Sequence, residues 1–167
     1  MHPINRRHWL LASAASLLLG GCGFALRKAP DYQFKTIWLD MPNSAFKTEL
    51  QRQIEGSGRV TVITDGSARN DADVVLHSAG PQREETIVSM TSAGEVREVQ
   101  LRMWLRFSVT APDGRELLEP AEIERLMDQS YSESESLSKG EERRLLYDNM
   151  QSDIVQQVVR RLETVAP

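Results

Sequence analysis

The sequence predicts an α/β fold, a two-layer sandwich in which a mixed four- to five-stranded sheet has two helices packed on one face. Three features indicate this class. A strand, a short amphipathic helix and a second strand follow one another early in the chain. Twelve residues with alternating apolar and polar side chains lie further on, and a long amphipathic helix comes last. No second sheet is indicated, so both helices must cover the same sheet in the order β-α-β-β-β-β-α.

The first unit is a strand, a helix and a strand. Residues 36–39 are a short apolar run before a turn, which favours a strand buried on both faces. Apolar residues then recur at every fourth position, at Phe46, Leu50 and Ile54. Asn43 or Ser44 would cap this helix, and the β-branched residues 60–64 form the second strand. Such a unit predicts parallel neighbouring strands.

A third strand is predicted over residues 72–78. Gly80 and Pro81 interrupt it, because proline cannot donate a hydrogen bond to a neighbouring strand. The strand resumes over residues 86–90, ahead of a hairpin tip at residues 91–94.

The fourth strand, residues 99–110, has the clearest pattern in the chain. Its odd-numbered residues are apolar and its even-numbered residues are mostly polar, so one face lies on a core and the other does not. Residues 112–114, Pro-Asp-Gly, form a turn. The heavily charged residues 121–128 have the composition of a fifth strand at a sheet edge.

The last helix is predicted over residues 141–162. Apolar residues four apart form a broad stripe, which Leu145 widens, so the helix should lie flat on a large apolar surface. Ser138 and Glu141 have the spacing of a capping box at its start.

Residues 1–21 have the features of an export signal and take no part in the fold. Arg6 and Arg7 precede an 11-residue apolar segment, which is too short to span a bilayer. Residues 19–22, Leu-Gly-Gly-Cys, resemble the bacterial lipobox, in which the cysteine thiol is acylated and becomes the new N-terminus. Cys22 is the only cysteine of the chain, which excludes a disulfide scaffold.

Acylation of Cys22 would tether the mature domain to a membrane, since each buried methylene contributes about 0.8 kcal/mol. Residue 23 is glycine rather than the aspartate that retains lipoproteins in the inner membrane, which favours the periplasmic side of the outer membrane. The general secretory route fits better than the twin-arginine route. The chain then divides into a cleaved signal peptide (1–21), a lipidated tether (22–34) and a single domain (35–165).

Composition and motifs argue against several functions. The net charge of −4 becomes −6 once the two arginines of the signal are removed, which excludes nucleic-acid binding through an overall basic surface. His77 is the only histidine left, too few for a zinc site, and it is interpreted as a packed or edge residue. No hydrolase, protease or nucleotide motif is present. The sequence predicts no enzyme, with no catalytic residue, metal or cofactor apart from the lipid on Cys22.

A contact surface is the alternative to a catalytic site. Arg102, Trp104 and Arg106 project together from the fourth strand, with Arg97 nearer the hairpin tip. Tryptophan and arginine are enriched at interaction hot spots, and arginine binds phosphate well. An ordinary solvated sheet face would carry the same residues, and that alternative stays open. Lys139, at the start of the last helix, is the one cation of a loop rich in serine and glutamate.

Four segments, in their order and spacing, resemble the lipopolysaccharide-assembly lipoprotein family (LptE, formerly RlpB). The first is residues 21–27, where an acylated Cys-Gly is followed by an aromatic residue and a Leu-Arg pair. The second is the strand 37–39 ahead of the short helix. The third is the alternating strand that closes on residues 111–115. The fourth is residues 137–139, which run into a helix ending at residues 160–162, so the resemblance covers essentially the whole mature chain.

The resemblance implies a two-layer β-α-β-β-β-α domain that plugs the lumen of the outer-membrane β-barrel LptD. Together they would form the translocon that delivers lipopolysaccharide to the outer leaflet. It also implies that basic residues near the hairpin tip and before the last helix bind lipopolysaccharide. Lys139 matches the second position, whereas the first is Ser92, with Arg97 as the nearest cation. The candidates for barrel contact are Arg102, Trp104 and Arg106.

Two other functions stay open. The protein could be a structural envelope lipoprotein that acts as a scaffold without binding lipopolysaccharide, or a periplasmic hydrolase without a recognisable motif. The single histidine argues against the hydrolase. A large β-barrel partner would distinguish the plug from the scaffold.

Overall fold

The computed structural model describes residues 30–130 and 136–167, which contain six strands, two α-helices and a short 3-10 helix. The strands are β1 (Thr36–Asp40), β2 (Thr61–Ile63), β3 (Val74–His77), β4 (Gln82–Met90), β5 (Val96–Thr110) and β6 (Glu116–Ser130). The helices are α1 (Ala45–Glu55) and α2 (Ser136–Leu162), and the 3-10 helix spans Gly66–Asp71 between β2 and β3. In the described ranges, neither helix has both the length and the apolarity needed to cross a membrane.

The central strand of the sheet is β5, which has three antiparallel partners. The sheet order is β2-β1-β3-β5-β4, with β6 also paired to β5. Since β6 lines one edge of β5 from residue 98 to residue 110, the other edge is shared by two strands lying end to end. On that edge β3 pairs with residues 108–110 and β4 with residues 96–104. The parallel pairing of β1 with β2 confirms the prediction from the strand-helix-strand unit.

The predicted fold class is confirmed, and the sheet has six strands because the third predicted strand is divided. The break at Gly80 and Pro81 lies between β3 and β4, and β4 already begins at Gln82 rather than at residue 86. The hydroxyl of Ser78 holds the connection, since it donates to the Arg106 carbonyl at 2.7 Å and accepts from the Gly80 N–H at 3.1 Å.

The hydrophobic core lies between one face of the sheet and the two helices. Leu101, Met103 and Leu105 of β5 have no exposed surface. The helices contribute the residues that their spacing predicts: Phe46, Leu50 and Ile54 from α1, and Met150, Ile154, Val158 and Leu162 from α2. Burial of each such side chain contributes about 1.5–3 kcal/mol. The core therefore fixes which sheet face remains open.

One residue of the predicted helical stripe does not belong to the core. Leu145 is 54% exposed, whereas Leu146 is partly buried and Tyr147 is buried. An α-helix turns about 100° per residue, so Leu145 lies to one side of the face that packs on the sheet.

Two predictions about the first strand and first helix have different outcomes. The prediction that β1 is buried on both faces is wrong, because Ile37 and Leu39 are buried while Trp38 is only half-buried. The prediction of a capped helix is confirmed at Ser44, whose hydroxyl accepts a hydrogen bond from the Lys47 N–H at 3.2 Å.

Two predictions in the second half of the chain are corrected. The fifth predicted strand, residues 121–128, is only the middle of the 15-residue strand β6. The charged residues of β6 are tolerated on an open face and edge, and Pro120 falls within a shift of the pairing register opposite Ser108. The predicted capping box at Ser138 is wrong, since Ser138 lies inside α2.

The two ends of β5 define the two ends of the domain. At one end the chain enters β1, where the Asp73 carboxylate accepts hydrogen bonds from the backbone N–H groups of Lys35 and Thr36 at 2.7 and 2.9 Å. Burial alone would raise the pKa of Asp73, but these hydrogen bonds hold that pKa below its ordinary value. The hairpin at residues 91–95 and the start of α2 lie at the opposite end. The 15 residues of β5 separate the two ends by about 50 Å.

The helix α2 provides a direct test of this core. We expect Leu162→Ala to lower the free energy of unfolding by about 2–5 kcal/mol, because the truncation leaves a cavity under a fully buried side chain. The matched control, Leu145→Ala, should cost less than about 0.5 kcal/mol, since Leu145 is exposed. Urea unfolding of the mature domain measures both values, and equal losses would contradict the packing described here.

Candidate functional site

The sheet face opposite the helices is the outer face, and it is the first part of the candidate site. Direct pairing across β4, β5 and β6 assigns residues to it, together with the alternation along β5. Its members are Gln82, Glu84, Glu98, Gln100, Arg102, Trp104, Arg106, Glu116, Glu122, Glu124, Leu126 and Asp128. The three predicted contact residues, Arg102, Trp104 and Arg106, therefore project together, as expected.

Arg102 lies at the centre of the outer face and binds carboxylates on both neighbouring strands. Its Nε and Nη2 donate to the Glu124 carboxylate of β6 at 3.1 and 3.3 Å, and its Nη1 donates to Glu84 of β4 at 3.2 Å. A third carboxylate, on Glu122, lies 4.0 Å away. The hydrogen bonds to Glu124 and then Glu84 raise the pKa of Arg102 above its ordinary value. Arg102 thus links three strands and is not a free cation.

The other two contact candidates extend this arrangement. The Arg102 guanidinium stacks on the Trp104 ring, 4.3 Å from its centroid, in a cation–π contact. Arg106 donates from Nε to the Glu122 carboxylate at 2.5 Å, while its side chain stays 79% exposed. The outer face therefore has a half-buried tryptophan at its centre, surrounded by paired charges.

The second part of the candidate site is the hairpin end of the domain, where Lys139 lies. The prediction that Lys139 lies at the start of the last helix is confirmed: it belongs to the first turns of α2 rather than to the loop before it, and its side chain is only 15% exposed. Its Nζ donates to the Glu142 carboxylate at 2.8 Å and to the Ser130 hydroxyl at 3.2 Å. Lys139, followed by Gln129, lowers the pKa of Glu142, which identifies a stabilised ion pair.

Gln129 joins the start of α2 to the end of β6. It is a buried polar residue, 1% exposed, and its Nε2 donates to the Lys139 carbonyl at 2.9 Å. Its Oε1 accepts from Arg143 at 3.2 Å, and Arg143 also pairs with Glu85 of β4 at 3.0 Å. The position of Lys139 therefore depends on contacts that cross β4, β6 and α2.

Arg97 is the exposed cation predicted near the hairpin tip. Within the described residues its side chain makes no hydrogen bond and no ion pair. Its neighbour Glu98 pairs directly with Ser130, the residue that Lys139 contacts. Arg97 and Lys139 thus lie at the same end of the domain, one free and the other bound to Glu142.

His77 is half-buried and hydrogen-bonded within the sheet, which fits a packed or edge residue. Its Nδ1 lies 3.0 Å from the Asp40 carboxylate and its Nε2 lies 3.0 Å from the Thr110 hydroxyl, so it links β1, β3 and β5. Arg69 also pairs with Asp40, at 3.2 Å. A shallow, open depression of about 500 Å³ lies beside His77 and Arg106. Among residues 30–130 and 136–167, no cluster of His, Cys, Asp or Glu could hold a metal ion.

The signal peptide (1–21), Cys22 and residues 22–29 of the tether lie outside the described residues, whereas Tyr32 and Phe34 at the end of the tether are buried in the core. Within the described residues, sequence reasoning missed Gln129 and the roles of Glu84, Glu122 and Glu124. The sequence alone does not show that Glu84, Glu122 and Glu124 face Arg102. This follows from the strand register, which the length of the hairpin at residues 111–115 partly fixes.

Three solved structures that are similar to this chain are bacterial lipoproteins. Lipoprotein B from Nitrosomonas europaea has a TM-score of 0.71 at 25% identity, covering 84% of this chain and 90% of that one. The rare lipoprotein B from Shewanella oneidensis has a TM-score of 0.64 at 22% identity, covering 77% and 93%. A minor lipoprotein from Acinetobacter baumannii has a TM-score of 0.62 at 20% identity, covering 78% and 91%. The chain thus shares its fold with these three bacterial lipoproteins.

The family follows from the sequence itself. The model of the lipopolysaccharide-assembly family, LptE, matches residues 34–162, which is most of the chain and includes both parts of the candidate site. The chain belongs to the LptE family. Among curated proteins, no sequence is significantly similar to it.

The role of Gln129 at the hairpin end can be tested. Gln129→Ala should lower the free energy of unfolding by about 1–3 kcal/mol, because the Lys139 carbonyl and Arg143 lose a buried partner. The control, Gln100→Ala, removes an exposed hydrogen bond to Asp128 and should cost less than about 0.5 kcal/mol. Hydrogen exchange should also quicken in the first turns of α2 in the Gln129 variant only, and unchanged exchange there would contradict the assignment.

Proposed function

We propose that this protein is an outer-membrane lipoprotein, acylated at Cys22, that plugs and supports the β-barrel LptD in the lipopolysaccharide translocon. Its role is to assist the assembly of lipopolysaccharide at the outer-membrane surface, without catalysis. The observation that carries this proposal is the match of residues 34–162 to the lipopolysaccharide-assembly family.

The shape of the domain supports a plug held from one end. The chain leaves the tether at the β1 end, whereas the hairpin at residues 91–95 lies about 50 Å away along β5. The hydrocarbon core of a bilayer is about 30 Å thick. A domain anchored at the periplasmic side and directed into a barrel is therefore long enough to place its hairpin beyond the middle of the membrane.

The surface of the domain also fits a barrel lumen, which is polar. The outer face combines charged side chains with the central stack of Arg102 on Trp104, and we assign the contact with the barrel wall to Arg102, Trp104 and Arg106. A partly buried tryptophan beside an arginine is a common centre of binding energy at protein interfaces.

Lipopolysaccharide binding belongs to the hairpin end in this proposal. Arg97 is exposed and unpaired among the described residues, so it is available for a lipid A phosphate. Lys139 can take part only by exchanging its ion pair with Glu142. Arg97 is therefore the stronger of the two predicted ligands.

Isolation of the native complex tests the plug against the scaffold. The full-length lipoprotein, captured from detergent-solubilised outer membranes, should co-purify with LptD in a one-to-one ratio. Mass spectrometry should show a mature chain that begins at an acylated Cys22. Trp104→Ala should reduce the yield of barrel, whereas Leu145→Ala, an exposed apolar residue on α2, should not. A captured lipoprotein without any large β-barrel would favour the scaffold function instead.

The lipopolysaccharide site is tested separately with the purified mature protein. Arg97→Gln should weaken lipopolysaccharide binding about two- to fivefold, the size of one exposed charge pair. Lys139→Gln should have a smaller effect, because Lys139 is already bound to Glu142. The control is Arg115→Gln, at the opposite end of β5. Equal affinities for wild type, Arg97→Gln and Arg115→Gln would remove Arg97 from the site.

A further inference from the structure

The outer face has a strong excess of negative charge. Six of its side chains are carboxylates and two are guanidinium groups, which leaves four uncompensated negative charges. The carboxylates are Glu84, Glu98, Glu116, Glu122, Glu124 and Asp128, and the cations are Arg102 and Arg106. An ordinary solvated surface mixes both signs, so this excess calls for a physical explanation.

The two arginines of the outer face are already paired with carboxylates of the same face. Arg102 is held by Glu84, Glu124 and the nearby Glu122, and Arg106 is held by Glu122. Their positive charge is compensated by ion pairs within the sheet. What remains on the surface is the excess of carboxylates.

Three of those carboxylates have no ion pair within the described residues. Glu98 and Asp128 lie near the hairpin end, and Glu116 lies near the opposite end of β5. Asp128 accepts only a neutral hydrogen bond, from Gln100 at 3.0 Å. The unpaired negative charge therefore extends along almost the full length of β5.

On the opposite face of the same three strands, which faces the helices, the charged side chains of β4 and β6 are mostly positive. Arg83 and Arg125 both pair directly with Met103, a core residue. Glu85 is the acid opposite Leu101 on that side. The charged side chains of these strands are therefore mainly carboxylates on the outer face and mainly arginines on the face toward the helices.

From this separation we propose that the outer face docks, through its carboxylates, on a protein surface lined with lysine and arginine side chains. The inference rests on the proposed function and specifies its contact: the occupant is a cationic strip of the barrel wall. The stack of Arg102 on Trp104 lies at the centre of the contact. Charge complementarity of this kind orients partners and excludes ligands of the wrong sign, so phosphate-bearing lipid is kept off this face.

The test neutralises only unpaired carboxylates, so that the sheet keeps its ion pairs. The face variant combines Glu98→Gln, Glu116→Gln and Asp128→Asn. The control variant makes the same total change of charge elsewhere, with Glu55→Gln, Asp71→Asn and Asp113→Asn, which are exposed and have no ion pair within the described residues. Circular dichroism and the unfolding midpoint should show that both full-length variants fold as the wild type does.

Each variant then competes with isotope-labelled wild-type lipoprotein for LptD immobilised in detergent, and mass spectrometry measures the bound ratio. At about 50 mM NaCl the face variant should bind about tenfold more weakly than the wild type, and the control within about twofold. At about 500 mM NaCl the deficit of the face variant should shrink to about twofold, because salt screens charge pairs.

The outcomes separate the two proposals. A salt-dependent loss confined to the face variant supports the cationic contact. In a second outcome, the immobilised barrel retains the wild type while the face variant binds as well as the control at both salt concentrations. That result would overturn the proposed contact between carboxylates and cationic side chains, and the plug function would stand. If the immobilised barrel retains no wild-type protein, the proposed function fails, and this inference fails with it.

Discussion

The strict alternation of apolar and polar residues along β5 is the constraint on which the rest of the structure depends. Leu101, Met103 and Leu105 have no exposed surface and lie under the helices, so the residues between them must face the other way. A slip of the pairing by one residue would turn Arg102 toward the core and expose its apolar neighbours. The cost of burying that charge fixes the register, and the register in turn brings Glu84 and Glu124 to Arg102.

The same constraint separates the two parts of the candidate site. On the outer face, ion pairs between strands hold the arginines and leave an excess of acid. At the hairpin end, Gln129 fastens the first turns of α2 and positions Lys139, while Arg97 stays exposed. A protein surface and an anionic lipid can therefore be bound by different regions of one domain, each with the charge that its ligand requires.

The parts of the fold that depend on local pattern could be predicted from the sequence. Alternation revealed β5, and the spacing of apolar residues revealed both helices, with Ser44 as a cap. The length of β6 could not be predicted, because its charged residues are stable only beside an open face. The partners of Arg102 and Lys139 were missed for a related reason. Such pairs join residues brought together by register and by helix position, and composition shows neither.

Because β5 is continuous, its length sets the distance between the two ends of the domain. The hairpin is held to the β1 end by one unbroken strand, with β6 along one side and β3 and β4 along the other. Strand residues advance about 3.4 Å each, and side chains change face at every step. Where the strands pair without a bulge, reach can therefore be altered in units of two residues, about 7 Å, made in register in β5 and in its neighbours. Relatives with a longer or shorter reach should differ by even numbers of residues here.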